Sequence, residues 1–280
     1  MSFLKRVGEG ISISVVSMLF PFKHPALFLY PLACFAIAFP AASVVMNIVR
    51  NNAGSLPLDI VMFMMEVVTF VVVSIFFLGL VRGSIARMEG KTIKFWKAMA
   101  VDGRMLICLF FYVLIKAFLA FVVPSIETYF SPDFSLDMMD SMGGGLLAVY
   151  VAWCAATFYF LPVLAYETKN FFDAVGHSVK HFLSSFVEVI CGVATSWALV
   201  GFFVGIGAFL LKVDRMDFFS RMQEAVRQPL AMVAAEGVAA LFVVAVALIL
   251  ATGVMVLVPA LYFYITRKRK NPFTSVIRKK

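Results

Sequence analysis

Charged residues are scarce in this sequence. Asp, Glu, Lys and Arg make up 14% of the 280 residues, whereas soluble domains have roughly 25%. Hydrophobic residues reach 62%, and the mean hydropathy is +0.97. This composition excludes a soluble enzyme, a disordered tail and a secreted disulfide-stabilised domain. It indicates a polytopic membrane protein.

Cysteine and histidine are also scarce, with four and three residues. The cysteines lie singly in apolar runs, without the paired spacing of a disulfide framework or a zinc site. We interpret them as reduced, packed residues. The motifs of zinc proteases, serine hydrolases, P-loops and dinucleotide-binding folds are missing as well. The sequence therefore predicts a non-enzymatic protein with no cofactor and no metal.

Six long apolar runs dominate the rest of the chain. An α-helix needs about 20 apolar residues to cross a membrane, and continuously apolar runs favour helices over the alternating strands of a barrel. We predict an all-α integral membrane protein with a single domain over residues 1–280. Its six transmembrane helices are expected at about 26–49, 57–81, 105–127, 143–165, 184–211 and 237–266.

The first 22 residues contain a separate, weaker apolar run. Two basic residues precede it, as in a signal peptide, but no small-residue cleavage site follows. Ser12, Ser14 and Ser17 interrupt the run. This pattern favours an amphipathic helix that lies in the membrane interface rather than a span.

Three further segments mix charged and apolar residues. Residues 83–103 and 166–183 do so on the predicted cytoplasmic side, and residues 213–236 do so on the outer side. Each segment is expected to form an interfacial helix, with Trp96 at the depth of the lipid headgroups.

Lys and Arg are distributed unevenly between the two sides of this topology. Most of the 24 lie before span 1, between spans 2 and 3, between spans 4 and 5, or in the C-terminal tail. The 128–142 loop has acidic residues and no base. Because basic loops stay in the cytoplasm, we expect both termini to be cytoplasmic.

A basic run directly follows span 6 and consists of Arg267, Lys268, Arg269 and Lys270. Such a run attracts anionic headgroups by about 1 kcal/mol per base. Interleaved aromatic residues, which RNA binding would favour, are nearly missing. We therefore expect membrane lipids as partners and no nucleic acid.

Two ionisable residues lie deep within predicted spans, where a charge is costly. Glu66 in span 2 and Lys116 in span 3 fall at similar depths in consecutive, antiparallel helices. We predict an ion pair between them. A structural pair that fixes helix register is the favoured interpretation, and a proton, ion or anionic-substrate pathway is the alternative. Glu188, one turn into span 5, is expected to reach the cytoplasmic interface.

Asp173, His177 and His181 are spaced by four residues and share one face of the predicted 166–183 helix. Two histidines and a carboxylate are possible metal ligands. A solvated helix face is the favoured interpretation, because this spacing is common by chance.

Small residues recur at helical spacing in spans 4 and 5. Ala148, Ala152 and Ala156 form one stripe, and Gly201 and Gly205 form a GxxxG motif. Such stripes allow close helix contacts. Packing within the chain is favoured here, and a homo-oligomer face is the alternative.

Two stretches of the sequence resemble motifs of a known group of proteins. Residues 23–33 contain Pro25-x-Leu27 followed by Pro31-Leu32, and residues 161–178 contain Pro162, Glu167, Ala174 and Ser178. With these motifs the chain resembles a loose group of uncharacterised six-pass bacterial membrane proteins (domains of unknown function). That group is similar to the membrane region attached to some glycerophosphodiester phosphodiesterases. The resemblance implies the bacterial inner membrane and brings no activity with it.

The second motif is expected to be structural. Glu167, Ala174 and Ser178 would lie on one helix face, with Glu167 opening the helix at its positive end. We predict an elbow between spans 4 and 5; a functional site is the alternative.

Three functions are compatible with these features. The leading interpretation is a non-enzymatic inner-membrane protein that acts in membrane homeostasis or as the membrane subunit of a larger assembly. The alternative is a small transporter or channel that uses Glu66 and Lys116. A lipid-modifying enzyme would have only Glu167, His177 and His181 to work with.

Overall fold

The computed structural model describes residues 2–37, 58–129, 148–211 and 238–267. Helix accounts for 88% of these residues, and none of them is in a strand. The all-α prediction is confirmed. The helices are α1 (Phe3–Lys23), α2 (29–37), α3 (Leu58–Met88), α4 (Phe95–Ala98), α5 (Gly103–Tyr129), α6 (148–156), α7 (Phe160–Tyr166), α8 (Phe171–Ser184), α9 (Phe186–Leu211) and α10 (Val238–Thr266), with a 3-10 turn over Pro25–Phe28.

Within the described ranges, four helical segments are long and apolar enough to cross a membrane. A fifth exists if α1 and the following segment to Ile37, which meet at 95°, count as one bent span. A helical protein with four or five candidate membrane spans is therefore shown. Six spans and the side of the termini stay predictions. The four segments are Val67–Met88, Ala148–Tyr166, Phe186–Phe203 and Leu248–Thr266.

Some of the expected features lie outside the described residues. They include residues 38–49 of predicted span 1, residues 143–147 of predicted span 4, the outer helix over 213–236, and the last three bases of the tail run, Lys268, Arg269 and Lys270.

Helix α1 packs along α9 and α10, and its buried face has apolar residues, Ile13, Met18 and Phe20, beside two serines. Ser14 and Ser17 are buried, and the Ser14 and Ser196 hydroxyl oxygens lie 2.7 Å apart. Other large apolar side chains of α1 point outward. Small polar residues inside and apolar residues outside are typical of helices that face lipid. The serines are packing residues here, and the interfacial position of this helix stays a prediction. The outward apolar residues are Phe3, Leu4, Ile11, Val15, Leu19 and Phe22.

Two glycines of α3 contact α2, the helix that follows the bend after α1. A Cβ on Gly79 would lie 2.8 Å from Cε1 of Tyr30, and one on Gly83 would lie 2.9 Å from the Tyr30 hydroxyl. The Tyr30 ring also contacts Phe95 of α4, with centroids 4.8 Å apart. The absence of side chains at these glycines therefore lets α2 pack directly on α3.

The connection between α3 and α5 is not the interfacial helix predicted over 83–103. Helix α3 continues to Met88, and Gly90 then adopts φ +75°, a left-handed conformation that ends helices. Only the single turn of α4 is helical beyond it. Trp96 in this turn is 78% exposed.

Pro162 divides predicted span 4 into α6 and α7. Proline lacks an N–H and clashes with the carbonyl four residues earlier, and residues 157–159 form a turn. The backbone N–H of Tyr159 in this turn donates to Ser178 Oγ at 3.0 Å. Ser178 thus replaces a helical bond lost at the break and attaches α8 to it.

The predicted internal stripes of small residues are largely exposed. Ala148, Ala152 and Gly201 are exposed, and a Cβ on Gly201 or Gly205 would meet nothing within 4 Å. Packing within the described part of the chain does not explain these stripes, and a homo-oligomer face stays a prediction.

Candidate functional site

Three helices end together at one end of the bundle. The residues that directly follow α3, α7 and α10 are Glu89, Glu167 and Arg267. All three line a cavity of about 260 Å³, which we call the C-terminal cavity. Helix C-termini carry partial negative charge, so the cavity combines two carboxylates, one guanidinium and a negative helix-end potential. The other lining residues are Ile85, Tyr166, Tyr262, Phe263 and Thr266.

Glu89 connects two basic side chains across one side of this cavity. Its Oε2 accepts a hydrogen bond from Lys91 Nζ at 2.9 Å, and its Oε1 accepts one from Arg267 Nη2. The hydrogen bond from Lys91, with that from Arg267, lowers the pKa of Glu89 despite partial burial. Glu89 is therefore an ionised carboxylate at neutral pH.

Three side chains form hydrogen bonds with the carboxylate of Glu167. We call Glu167 and its partners, Tyr262, His177 and His181, the Glu167 cluster. Tyr262 of α10 donates to Oε1 at 2.6 Å. His181 Nε2 lies 2.8 Å from Oε1, and His177 Nδ1 lies 2.9 Å from Oε2. The cluster therefore connects the end of α7 to α8 and α10.

The charge of Glu167 is stabilised by this cluster. Burial alone raises the pKa of Glu167, but the hydrogen bonds from Tyr262 and His181 outweigh burial and lower it. A carboxylate at a helix C-terminus is also disfavoured by the helix dipole. The donors of the Glu167 cluster offset both penalties.

The position of Glu167 corrects two predictions. It does not open α8; it is the C-cap of α7, and Asn170 caps α8 by accepting from the Phe172 N–H at 3.2 Å. The predicted solvated face is only partly solvated: Asp173 and His177 are exposed, but His177 and His181 both contact Glu167. The sequence pattern missed this because the chain reverses between α7 and α8.

The rest of the predicted elbow lies in the core. Ala174 and Ser178 share the buried face of α8, each with no exposed surface. Pro162 is buried in α7, and Ser178 bonds to the preceding turn. The elbow between spans 4 and 5 stays a prediction, with which these buried contacts agree.

No group of three or more His, Cys, Asp or Glu side chains is arranged to hold a metal ion in the described ranges. In the Glu167 cluster the histidine nitrogens and the carboxylate oxygens bond to each other directly. This arrangement can hold a proton between a carboxylate and an imidazole, and it fixes three helices relative to one another.

Lys116 has an aromatic partner. Its ammonium lies over the ring of Phe70 in α3, 5.1 Å from the ring centroid. Phe70 lies one helical turn after Glu66 in α3. The contact therefore places Lys116 of α5 within about one turn of the level of Glu66. The side chain of Glu66 lies outside the described residues, and the ion pair stays a prediction.

Arg82 falls directly after predicted span 2, among the bases between spans 2 and 3, and has a structural role. It lies in α3, and its guanidinium donates to the carbonyl oxygens of Ala98, at 3.1 Å, and Ala100. It thereby holds the segment between α4 and α5. A basic residue directly after the end of a long apolar run was the only signal for this contact.

A surface ion pair connects the same end of α5 to the segment before α8. Lys169 Nζ contacts Asp102 Oδ2, and Asp102 Oδ1 accepts from the Met105 N–H at 2.9 Å. These bonds lower the pKa of Asp102, chiefly through Lys169. The segment before α8 is thus fixed on two sides, by Lys169 and by Glu167.

Comparison of the chain with models of known protein families, with curated proteins and with solved structures finds no match.

Proposed function

We propose that this chain is a non-enzymatic multi-pass protein of the bacterial inner membrane. It acts in membrane homeostasis or as the membrane subunit of a larger assembly. In this proposal both termini are cytoplasmic, and the end of the bundle that contains the C-terminal cavity contacts phospholipid headgroups. The sequence resemblance supports the membrane, and the distribution of basic residues supports the orientation.

One observation carries the proposal. At this end of the bundle, exposed basic side chains and exposed aromatic side chains lie on the same segments, those between α3 and α5 and between α7 and α9. Trp96 is 78% exposed and Phe172 is 81% exposed. Aromatic side chains favour headgroup depth, and a base near an anionic leaflet contributes about 1 kcal/mol. The exposed lysines on these connections are Lys91, Lys94, Lys97, Lys169 and Lys180.

A non-enzymatic role is supported by the hydrogen bonding of the Glu167 cluster. The carboxylate of Glu167, which would be the general base of a lipid-modifying enzyme, accepts from three side chains of its own chain. A general base needs to reach the proton that it removes. Here both oxygens serve to hold helices together.

Native mass spectrometry of the full-length protein, released from nanodiscs that contain phosphatidylglycerol, tests the headgroup contact. We expect bound phosphatidylglycerol on the wild type. Retention should fall severalfold in the triple variant K94Q/K97Q/K180Q and should persist in K94R/K97R/K180R, which keeps the charge. A protein released without lipid, or equal retention by the Gln and Arg variants, would overturn the proposal.

A second candidate is a small transporter or channel, and the contact of Lys116 with Phe70 favours it. A cation held in a predicted span is costly unless it is paired or functional. The test is proton or ion flux into proteoliposomes. Flux by the wild type that is lost in Lys116→Met would favour transport over the leading proposal, and no flux by either protein would oppose it.

A further inference from the structure

We propose that the C-terminal cavity binds the headgroup of an aminophospholipid, with its primary ammonium near Glu89 and its phosphate near Arg267. This inference rests on the proposed contact between this end of the protein and lipid headgroups, and it names the lipid. Its basis is the combination of a cavity, two carboxylates and one guanidinium at the ends of three helices.

The size of the cavity restricts the ligand. Pockets for drug-sized molecules occupy about 300–1,000 Å³, and the C-terminal cavity is smaller, at about 260 Å³. A headgroup with one ammonium, two carbons and one phosphate suits this volume. A whole lipid or a nucleotide does not.

The position of the headgroup ammonium follows from the hydrogen-bond acceptors in the cavity. The Glu89 carboxylate already accepts from a primary ammonium, that of Lys91, at 2.9 Å. The Lys91 side chain is largely exposed, and an ionised carboxylate can accept about four hydrogen bonds. Glu89 therefore has capacity for a second ammonium. The carbonyl ends of α3 and α10 add negative potential at the same place.

The phosphate end is determined by Arg267. Its side chain is 60% exposed, and its guanidinium lies against the ring of Phe263 while it contacts Glu89. A guanidinium held in this way can bind phosphate with two parallel N–H groups. The hydroxyl of Thr266, in the cavity wall, donates to the Tyr262 carbonyl oxygen at 2.9 Å, so the phosphate is assigned to Arg267.

The balance of charge selects the headgroup class. The lining itself has two carboxylates and one guanidinium, and Lys91 reaches Glu89 from outside it, so a purely anionic headgroup gains little from the site. A primary ammonium donates three hydrogen bonds, whereas a quaternary ammonium donates none. Phosphatidylethanolamine is therefore expected to bind more tightly than phosphatidylglycerol or phosphatidylcholine at this site.

A lipid is favoured over free phosphoethanolamine by the position of the cavity. Three candidate spans end at it, at Met88, Tyr166 and Thr266. The apolar side chains of Ile85 and Phe263 line it as well. A headgroup in the cavity would thus have its glycerol and acyl chains beside the membrane-facing part of the bundle.

The experiment is native mass spectrometry of the full chain, released from nanodiscs that contain equal amounts of the three phospholipids. We expect phosphatidylethanolamine to be retained severalfold over phosphatidylcholine. Glu89→Gln should lower this retention about tenfold, the effect of one charge-assisted hydrogen bond. Asp173→Asn, which also removes one carboxylate charge but on the exposed surface of α8, should leave the retention of phosphatidylethanolamine unchanged.

A second variant removes no charge. Thr266→Phe should narrow the cavity and lower retention of phosphatidylethanolamine in a protein that is folded and monodisperse, while phosphatidylglycerol retention persists. Unchanged retention in both Thr266→Phe and Glu89→Gln would overturn the assignment.

The remaining outcomes separate this inference from the proposed function. Retention of phosphatidylglycerol without preference for phosphatidylethanolamine would overturn the cavity assignment and leave the proposed function standing. A protein released without any lipid would overturn both. Binding of free phosphoethanolamine to the detergent-solubilised protein, as tight as that of a short-chain phosphatidylethanolamine, would assign the cavity to the soluble compound instead.

Discussion

The guanidinium of Arg6 and the carboxylate of Glu188, which are 182 positions apart in the sequence, form a bidentate ion pair. Arg6 Nε donates to Oε1 at 2.9 Å, and Nη2 donates to Oε2 at 2.7 Å. The Glu188 side chain is only 1% exposed. The sequence predicted that Glu188 reaches the interface. The structure instead brings its counter-charge from α1, and the pair attaches the N-terminal helix to the start of α9.

Removing Arg6 should destabilise the protein strongly. Arg6→Met leaves the buried carboxylate of Glu188 without its partner, which costs about 3–5 kcal/mol. The measurement is unfolding of the detergent-solubilised protein, with proteolysis of α1 as a local probe. Lys5→Met, at the exposed neighbouring position, should change stability by less than about 0.5 kcal/mol.

The double variant R6M/E188M tests whether the charge itself matters. Replacing both partners by apolar side chains removes the uncompensated charge, so it should recover much of the lost stability. A single variant Arg6→Met as stable as Lys5→Met would show that the ion pair contributes nothing.

Two glycines of α1 should respond in opposite directions to alanine. In Gly10→Ala the new Cβ would lie 2.7 Å from the Glu188 carbonyl oxygen, so α1 and α9 must separate, at a cost of about 1–3 kcal/mol. Gly8 has nothing within 4 Å. Gly8→Ala should therefore stabilise the helix by up to about 1 kcal/mol. Thermal unfolding of both variants measures the difference, and equal effects would contradict the close helix contact.

Helix positions could be predicted from the sequence because long apolar runs and prolines act locally. Helices α3, α5, α9 and α10 lie within about a turn or two of the predicted spans where both are described. Pro162 divides span 4 as expected of a residue that lacks a backbone N–H. These features depend on residues close together in the chain.

Polar contacts were harder to predict because their partners are distant in sequence. Glu167 lies 95 positions from Tyr262 and 14 from His181. No spacing rule connects residues of three different helices. The same holds for Arg6 and Glu188, and for the serines of α1, whose burial depends on how α9 packs against them.

Tyr262 should contribute more to stability than Tyr166, although both line the C-terminal cavity. The Tyr262 hydroxyl donates to the charged Glu167 at 2.6 Å, whereas the Tyr166 hydroxyl donates to the neutral carbonyl of Arg82 at 3.4 Å. Hydrogen bonds to charged groups are worth about 1.5–3 kcal/mol, and neutral ones about 0.5–1.5 kcal/mol. Tyr262→Phe should thus lower the free energy of unfolding more than Tyr166→Phe does. The reverse order would contradict the role of the Glu167 cluster.

Stability in acid should depend on Glu167. The pKa of this carboxyl in the folded protein is below its ordinary value of 4.5, because donors from Tyr262, His181 and His177 outweigh burial. A lowered pKa stabilises the fold above the unfolded value, and this contribution is lost as the pH falls through the folded one. The thermal midpoint of the wild type should therefore drop as the pH falls from about 5 through the lowered pKa of Glu167.

Glu167→Gln should show a shallower drop over the same range, measured by thermal unfolding at each pH. Glu89 and Asp102 also have lowered pKa values, but both remain in the variant, so the difference between the two curves belongs to Glu167. Parallel curves would mean that the donors around Glu167 do not stabilise its charge. In that case the connection of α7 to α8 would have to depend on other contacts, such as the hydrogen bond from the Tyr159 N–H to Ser178.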